Sequence, residues 1–198
     1  REALKASPER PLVAVLCGPL TVVADAFLLD PRVAGRLVAA WFGGTENDMA
    51  DYNGWADPWA AYITLERLQL VQFPARRRGG EFPYSPVVPK ARLRELPESE
   101  LRTWMIEKQH PNGQPGAVDA DAPPAISLVR PDYPLETCPV SFAGFTPFGQ
   151  GNPRALPKFR RTSRGRSLVV TNASRAVATD EWWRALTAPK AYQGAVLT

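Results

Sequence analysis

The sequence contains few of the residues that zinc sites and disulfide-rich domains require. Its 198 residues include two cysteines, Cys17 and Cys138, and one histidine, His110. So few ligands argue against a zinc site, and the cysteines are expected to be separate thiols rather than a disulfide. His110 lies in a turn-forming Gln-His-Pro-Asn-Gly sequence and is expected in an exposed loop.

The sequence also lacks any apolar run of membrane-spanning length and any signal-peptide pattern at its beginning. No membrane partner is therefore expected. The compartment stays open, with the cytoplasm favoured, because the chain starts at Arg1 in what looks like the end of a helix. Its composition, 44% hydrophobic and 22% charged, is that of an ordinary globular protein, and we predict a single domain over residues 1–198.

Basic residues exceed acidic ones, which gives a net charge of +4 at pH 7. They cluster in two runs, Arg76 to Arg78 and Lys158 to Arg166. Either run could be a solvated face or subunit contact, or it could bind phosphate groups. A basic nucleic-acid-binding module is thus one reading of the chain, but nucleic acid is the less favoured partner because aromatic residues do not interleave these runs beyond Phe159.

Short apolar runs alternate with helical patterns in the first part of the chain, which predicts a parallel α/β sheet. The predicted strands are 12–17, 37–42 and 68–73. Thr21 is expected to cap a helix that buries Val22, Val23, Ala26, Phe27 and Leu28, and Asp57 is expected to cap a helix that starts at Pro58. The fold class is therefore α/β, with an open, mostly parallel sheet flanked by helices.

The later part of the chain predicts further helices and two more strands. A helix over 97–109 should bury Leu101, Trp104 and Met105, and Asp121 should cap a helix over 123–129. Residues 138–142 and 167–171 are predicted as strands of an antiparallel extension. A last helix, 180–186, is predicted, and its residues Trp182 and Trp183 should dock it by packing against the rest of the chain.

Three turns with oxygen-bearing side chains follow the predicted strands. They read Gly18-Pro19-Leu20-Thr21, Phe42-Gly43-Gly44, and Asp51-Tyr52-Asn53 leading to Asp57-Pro58. In open α/β sheets, ligands bind just beyond the carboxyl ends of parallel strands. These residues are therefore expected to converge on one crevice of sugar-binding or metal-binding character.

The order and spacing of these turns resemble the nucleoside hydrolases, of the inosine- and uridine-preferring type. Members of that family show Gly-Pro-Leu-Thr-Asn, then Met-Gly-Gly, then Glu-Phe-Asn and Asp-Pro-Glu-Ala-Ala, each after a strand or before a helix. The family also opens with an aspartate-rich loop, which has no counterpart here. The chain thus resembles the last two thirds of a Rossmann-like hydrolase fold, one that is incomplete without an N-terminal segment.

The resemblance implies a calcium site and a ribose site. The calcium ligands it implies in this chain are Thr21, through its carbonyl group, and Asp121. The residues that it implies for ribose are Asn47, Asp51 and Asn53. The family's leaving-group histidine is replaced by Ala120, and Asp51 stands in place of a glutamate. Turn and cap roles for Asp51, Asn53, Asp57 and Asp121 remain the structural alternative.

Two functions follow from these observations. The resemblance implies an N-ribosyl hydrolase of ribonucleosides, whose calcium site would be completed by a second chain or a cleaved N-terminal fragment carrying the aspartates. Alternatively, it is a non-catalytic subunit of the same fold that binds or scaffolds. Either reading implies a ribonucleoside or related riboside as ligand and favours a homo- or hetero-oligomer.

Overall fold

The computed structural model describes residues 1–77, 80–107, 116–146 and 155–192. The strands in chain order are β1 (Leu12–Leu16), β2 (Leu37–Phe42), β3 (Gln69–Phe73), β4 (Arg76–Arg77), β5 (Gly80–Glu81), β6 (Val87–Pro89), β7 (Gly116–Val118), β8 (Leu135–Phe145), β9 (Pro157–Arg161) and β10 (Ser167–Ala173). The α-helices are α1 (Glu2–Lys5), α2 (Thr21–Leu29), α3 (Tyr52–Ala56), α4 (Pro58–Arg67), α5 (Lys90–Leu93), α6 (Glu100–Glu107), α7 (Ala122–Val129) and α8 (Arg175–Thr187). Short 3-10 helices cover Pro31–Val33 and Pro189–Tyr192.

The described residues group into two compact units. Unit 1 comprises those within Arg1–Pro83 and Leu135–Asn172, and unit 2 comprises those within Tyr84–Pro134 and from Ala173 onward. The single domain expected over residues 1–198 stays a prediction. No helix in the described ranges has the length and apolar character needed to cross a membrane.

Unit 1 is built on a six-stranded sheet in the order β1-β2-β3-β10-β8-β9. Strands β1, β2, β3 and β10 pair parallel in succession, and β8 and β9 pair antiparallel. Helices flank this sheet, which confirms the predicted α/β class with a mostly parallel sheet. Strand β2 is buried at all six positions, as expected for an apolar run in the middle of a parallel sheet.

The environment of β10 is predicted only in part. Residues 167–171 are predicted as a strand of an antiparallel extension beside 138–142, and β10 does lie next to β8, but it also pairs parallel with β3, with Leu168 opposite Val71. Val169 and Val170 are both completely buried. A strand buried on both faces reads as a continuous apolar run, which is the pattern of a parallel strand inside a sheet.

The predicted buried stripe of α2 is also wrong in part. Val23 is buried, but Val22 and Leu28 are 72% and 61% exposed. The helix carries apolar side chains on all sides, so its sequence does not indicate which face packs on the sheet.

Unit 2 has its own small core. It consists of Val88, Leu93, Leu96, Met105 and Ala117, with Trp182 and Trp183 packed against it. The predicted docking of α8 by its two tryptophans is therefore confirmed.

The predicted stripe of α6 fails at two of its three residues. Met105 is buried, whereas Leu101 and Trp104 are 57% and 51% exposed. Helix α6 spans only Glu100–Glu107, and its inner face uses Met105 together with the partly buried Ile106. Residues 108 and 109 of the predicted helix lie outside the described ranges.

Candidate functional site

The side chain of Asn53 links the carboxyl ends of two neighbouring parallel strands. Its Nδ2 donates to the carbonyl of Phe42, the last residue of β2, at 3.0 Å. It also lies 3.5 Å from the carbonyl of Cys17, just after β1. The loop from residue 43 to residue 53 is thereby held over the strand ends, where the sequence predicted a crevice.

Thr21 and Asp57 meet at the same edge of the sheet. The Thr21 hydroxyl donates to Asp57 Oδ2 at 2.7 Å, while Asp57 Oδ1 accepts from the Ala60 N–H at 3.0 Å. Asp57 thus caps α4 as predicted. The predicted capping role of Thr21 is wrong, because Leu20 holds the N-cap position of α2 and the Thr21 hydroxyl is bonded to Asp57 instead. One carboxylate therefore joins the N-termini of α2 and α4.

Asp51 is a buried carboxylate at the start of α3. Its side chain is the N-cap of this helix and accepts from the Gly54 N–H at 2.9 Å. Burial raises the pKa of Asp51, and this effect is opposed by the N–H groups of Gly54, Gly44 and Asn53 and by the charge of Arg76. Its structural role is that of a cap, and a contact with ribose stays a prediction.

Asn47 lies in the loop after β2, in a turn that the Thr45 side chain stabilises. The Thr45 hydroxyl accepts from the Asn47 N–H at 3.1 Å, and the Asn47 carbonyl accepts from the Phe159 N–H at 3.3 Å. The loop is therefore fixed through its backbone to β9. The side chain of Asn47 is exposed.

Two buried side chains that hold this edge were not singled out from the sequence. The Trp41 indole, which is completely buried, donates to the Gly18 carbonyl at 2.9 Å. Gln72, which is 1% exposed, donates to the Thr45 carbonyl at 2.8 Å. Gln72 had a signal in the sequence, because a polar residue inside an apolar strand requires hydrogen-bond partners.

Asp121 lies in unit 2, directly before α7. It was predicted to cap this helix, but its side chain makes no capping bond. Instead the Asp119 carboxylate accepts from the Asp121 N–H at 3.2 Å. The side chain that stabilises the loop before α7 is therefore Asp119, two residues earlier in the sequence. Burial, and then the charge of Asp119, raise the pKa of Asp121 to about 6. Burial also raises the pKa of Asp119.

The raised pKa of Asp121 predicts a pH-dependent stability. A carboxyl whose pKa is higher in the folded chain contributes stability below its unfolded value near 3.8, and that contribution is lost as the pH rises through about 6. Asp121→Asn should therefore gain melting temperature relative to the wild type between pH 4 and pH 7.5. Melting curves of both proteins across this range provide the test. A constant difference between them would contradict the raised pKa.

The described residues alone do not form a calcium cage. No group of three or more histidine, cysteine, aspartate or glutamate side chains suited to a metal ion occurs in the described ranges. Calcium takes six to eight oxygen ligands. At the edge of unit 1, Asp57 uses both carboxylate oxygens in bonds to protein groups, and Asp51 accepts from backbone N–H groups. A calcium site would need oxygen ligands beyond these.

The basic runs are partly structural. Arg77 pairs with Glu46 at 3.4 Å, and Phe159 of β9 is buried within the second run. Arg78, His110 and the loop around it lie outside the described residues, so the predictions made for them are not tested. Binding of nucleic acid stays a prediction.

Comparison with known proteins gives support at the level of the fold. No protein-family model matches the sequence, and no curated protein matches it. Among solved structures, the chain is similar to an inosine-uridine preferring nucleoside hydrolase from Bacillus anthracis, with a TM-score of 0.54 and 17% identity. The match covers 93% of this chain and 62% of that protein. The chain therefore has a nucleoside hydrolase-like α/β fold that spans less than two thirds of the solved protein.

Proposed function

We propose that the chain supplies the sheet and the ribose-facing side of an N-ribosyl hydrolase that acts on ribonucleosides. The observation that carries this proposal is the bonding of Asn53 to the ends of β1 and β2, which sets an amide directly over the carboxyl edge of a parallel sheet. Ligands of open α/β sheets bind at this edge. The similarity to a solved nucleoside hydrolase supports the choice of substrate class.

The residues at this edge suit the recognition of vicinal hydroxyl groups. The donor side of the Asn53 amide is used on backbone carbonyls, so its oxygen is the side suited to accept from a sugar hydroxyl. Asp51 and the exposed amide of Asn47 are the further ribose ligands that we propose. Their task is to orient the sugar while the glycosidic bond lengthens and positive charge develops on the ring.

A calcium ion is the proposed cofactor, with Thr21 as one of its ligands in this chain, and the metal role of Asp121 stays a prediction from the sequence. When bound, it would orient an attacking water and the sugar hydroxyls. The described carboxylates do not complete such a site, so we propose that the remaining ligands come from an acidic segment, either a second chain or a cleaved fragment, within a homo- or hetero-oligomer.

A non-catalytic binding subunit is the second candidate. It is favoured by the use of Asp51 and Asp57 as helix caps. Because these carboxylates already accept from backbone N–H groups, their positions are explained without a catalytic role. Ala120 also stands where the related hydrolases have a histidine.

A fusion protein separates the two candidates. The amino-terminal part of the Bacillus anthracis protein, ending where its match to this chain begins, is named the complementing segment and is placed before Arg1. The fusion is expected to release free base from inosine or uridine in the presence of calcium. Asn53→Ala should lower kcat/KM by about 10²-fold, because a misplaced sugar loses the reactive geometry.

The control is Asn172→Ala, which removes an exposed asparagine of β10 that bonds Glu136. It should leave kcat/KM unchanged. A folded fusion that releases no base would favour the non-catalytic subunit. Equal loss from both variants would remove Asn53 from the ribose site.

A further inference from the structure

A basic hairpin, formed by β4 and β5, follows β3 at the carboxyl edge of the sheet. Its first strand consists of Arg76 and Arg77. The N–H groups of Ala75 and Arg76 both donate to the Gly44 carbonyl, at 3.0 and 3.3 Å. Arg76 also lies opposite Thr45 in a parallel bridge. The hairpin is therefore bonded directly to the loop after β2, which contains the proposed ribose ligands.

The base of the hairpin is held by Phe82. Its N–H donates to the Ala75 carbonyl at 2.7 Å, and its ring centroid lies 6.1 Å from that of Phe42. Phe82 has a positive φ of 52°, a conformation that bulky residues rarely adopt and that surrounding contacts must stabilise. The carbonyl of Phe42 is the one that accepts from Asn53. Phe42 therefore contacts both the hairpin and the Asn53 amide, which fixes the one relative to the other.

The three acidic side chains in the loop after β2 each have a partner in the protein. Glu46 pairs with Arg77 at 3.4 Å, and Asp48 accepts from the Thr45 hydroxyl at 2.7 Å. Asp51 is buried and accepts from backbone N–H groups. The negative charges of this loop are therefore balanced by protein donors.

Basic residues pair with the backbone of this loop both before and after Asn47. Before it, Arg76 is exposed and lies close enough to Asp51 to influence its ionisation. Burial raises the pKa of Asp51, and the charge of Arg76 acts against this effect. After it, the half-buried Lys158 of β9 lies opposite Asp48 in an antiparallel bridge. Because the acidic groups already have partners, the charge around the exposed Asn47 side chain favours an anionic ligand.

We propose that this edge of the sheet binds ribosides that carry a phosphate group on the primary hydroxyl of the sugar, and that Arg76 binds this phosphate. The placement of the ribose rests on the proposed function. A ribonucleoside has two vicinal hydroxyls, which are proposed to face Asn53, and one primary hydroxyl. A phosphate on the primary hydroxyl can accept two parallel N–H bonds from a guanidinium group. The substrate class is then that of the ribonucleoside 5′-monophosphates.

Binding of ribose 5-phosphate to the whole chain tests this proposal without any reaction. Ribose and inorganic phosphate are the reference probes, and calorimetry measures the three dissociation constants. Ribose 5-phosphate should bind about tenfold more tightly than either reference, because it alone engages both the amides and the guanidinium group. Arg76→Gln should remove this advantage. Arg76→Lys should keep part of it, because the charge remains while the two parallel bonds are lost.

The matched control is Arg164→Gln, which removes the same charge from an exposed arginine in the turn after β9. It should bind ribose 5-phosphate as the wild type does. No binding of ribose 5-phosphate, an affinity equal to that for ribose, or equal effects of Arg76→Gln and Arg164→Gln would overturn the proposal. Inorganic phosphate that binds as tightly as ribose 5-phosphate would also overturn it, because the sugar would then have no role.

The fusion with the complementing segment separates this proposal from the proposed function. Its kcat/KM for inosine 5′-monophosphate should exceed that for inosine by about tenfold, and Arg76→Gln should lower only the former. Faster hydrolysis of inosine than of its 5′-monophosphate would refute the phosphate site alone. If ribose 5-phosphate binds through Arg76 but the fusion hydrolyses neither compound, only the proposed function is refuted.

Discussion

Gly54→Ala is expected to destabilise the chain by about 3 kcal/mol, since overpacking against backbone cannot be relieved by a rotamer change. A Cβ atom at this position would lie 1.9 Å from the Met49 carbonyl oxygen. That carbonyl also accepts from the Asp51 N–H at 3.1 Å, and Met49 is completely buried, so neither side can move away easily. Urea unfolding followed by circular dichroism measures the loss.

Gly18→Ala is the matched control for this substitution. It lies in the turn after β1, and a Cβ there would have no atom within 4 Å. Its free energy of unfolding should stay within about 0.5 kcal/mol of the wild type. Similar unfolding midpoints for the two alanine variants would show that Gly54 does not lie against the Met49 carbonyl.

Trp41→Ala is expected to cost about 3–5 kcal/mol, the range for removing a large aromatic side chain from a core. Trp41 is completely buried in β2, and its ring lies against Gly43, where a Cβ would come within 2.3 Å of it. The substitution also removes the donor to the Gly18 carbonyl. Trp41→Phe should cost less, because it keeps most of the ring volume and loses mainly the hydrogen bond.

Trp59→Ala provides a control of the same residue type. Trp59 is 69% exposed and contacts Tyr62 and Phe145 edge-on. Its removal should change the free energy of unfolding by less than about 1 kcal/mol. If Trp59→Ala destabilised the chain as much as Trp41→Ala, the assignment of Trp41 to the core of the sheet would be wrong.

The central strands of the fold could be predicted from the sequence because local and long-range requirements agree there. The apolar run 37–42 coincides with β2, and Asp57 with Pro58 marks the start of α4. Each signal is complete within a few residues. The position of Thr21, Asn53 and Asp57 at one edge of the sheet followed from the same runs, since parallel strands end on one edge. A ligand-binding crevice there stays a prediction.

Other features could not be predicted because they depend on distant parts of the chain. The parallel pairing of β10 with β3 joins residues about a hundred positions apart in the sequence, as Leu168 opposite Val71 shows. The side of α2 that packs inward cannot be read from a helix without a polar face. The closure of the α7 loop by Asp119 rather than Asp121 depends on loop geometry, because both aspartates are suitable caps.

The most direct test of the shared site is a calorimetric titration of calcium into the unaccompanied chain. We expect no binding tighter than about 10⁻⁴ M, because the described residues offer too few oxygen ligands. The fusion with the complementing segment should bind one calcium ion more tightly. Micromolar binding of one calcium ion by this chain alone would show that its calcium site is not shared with another segment.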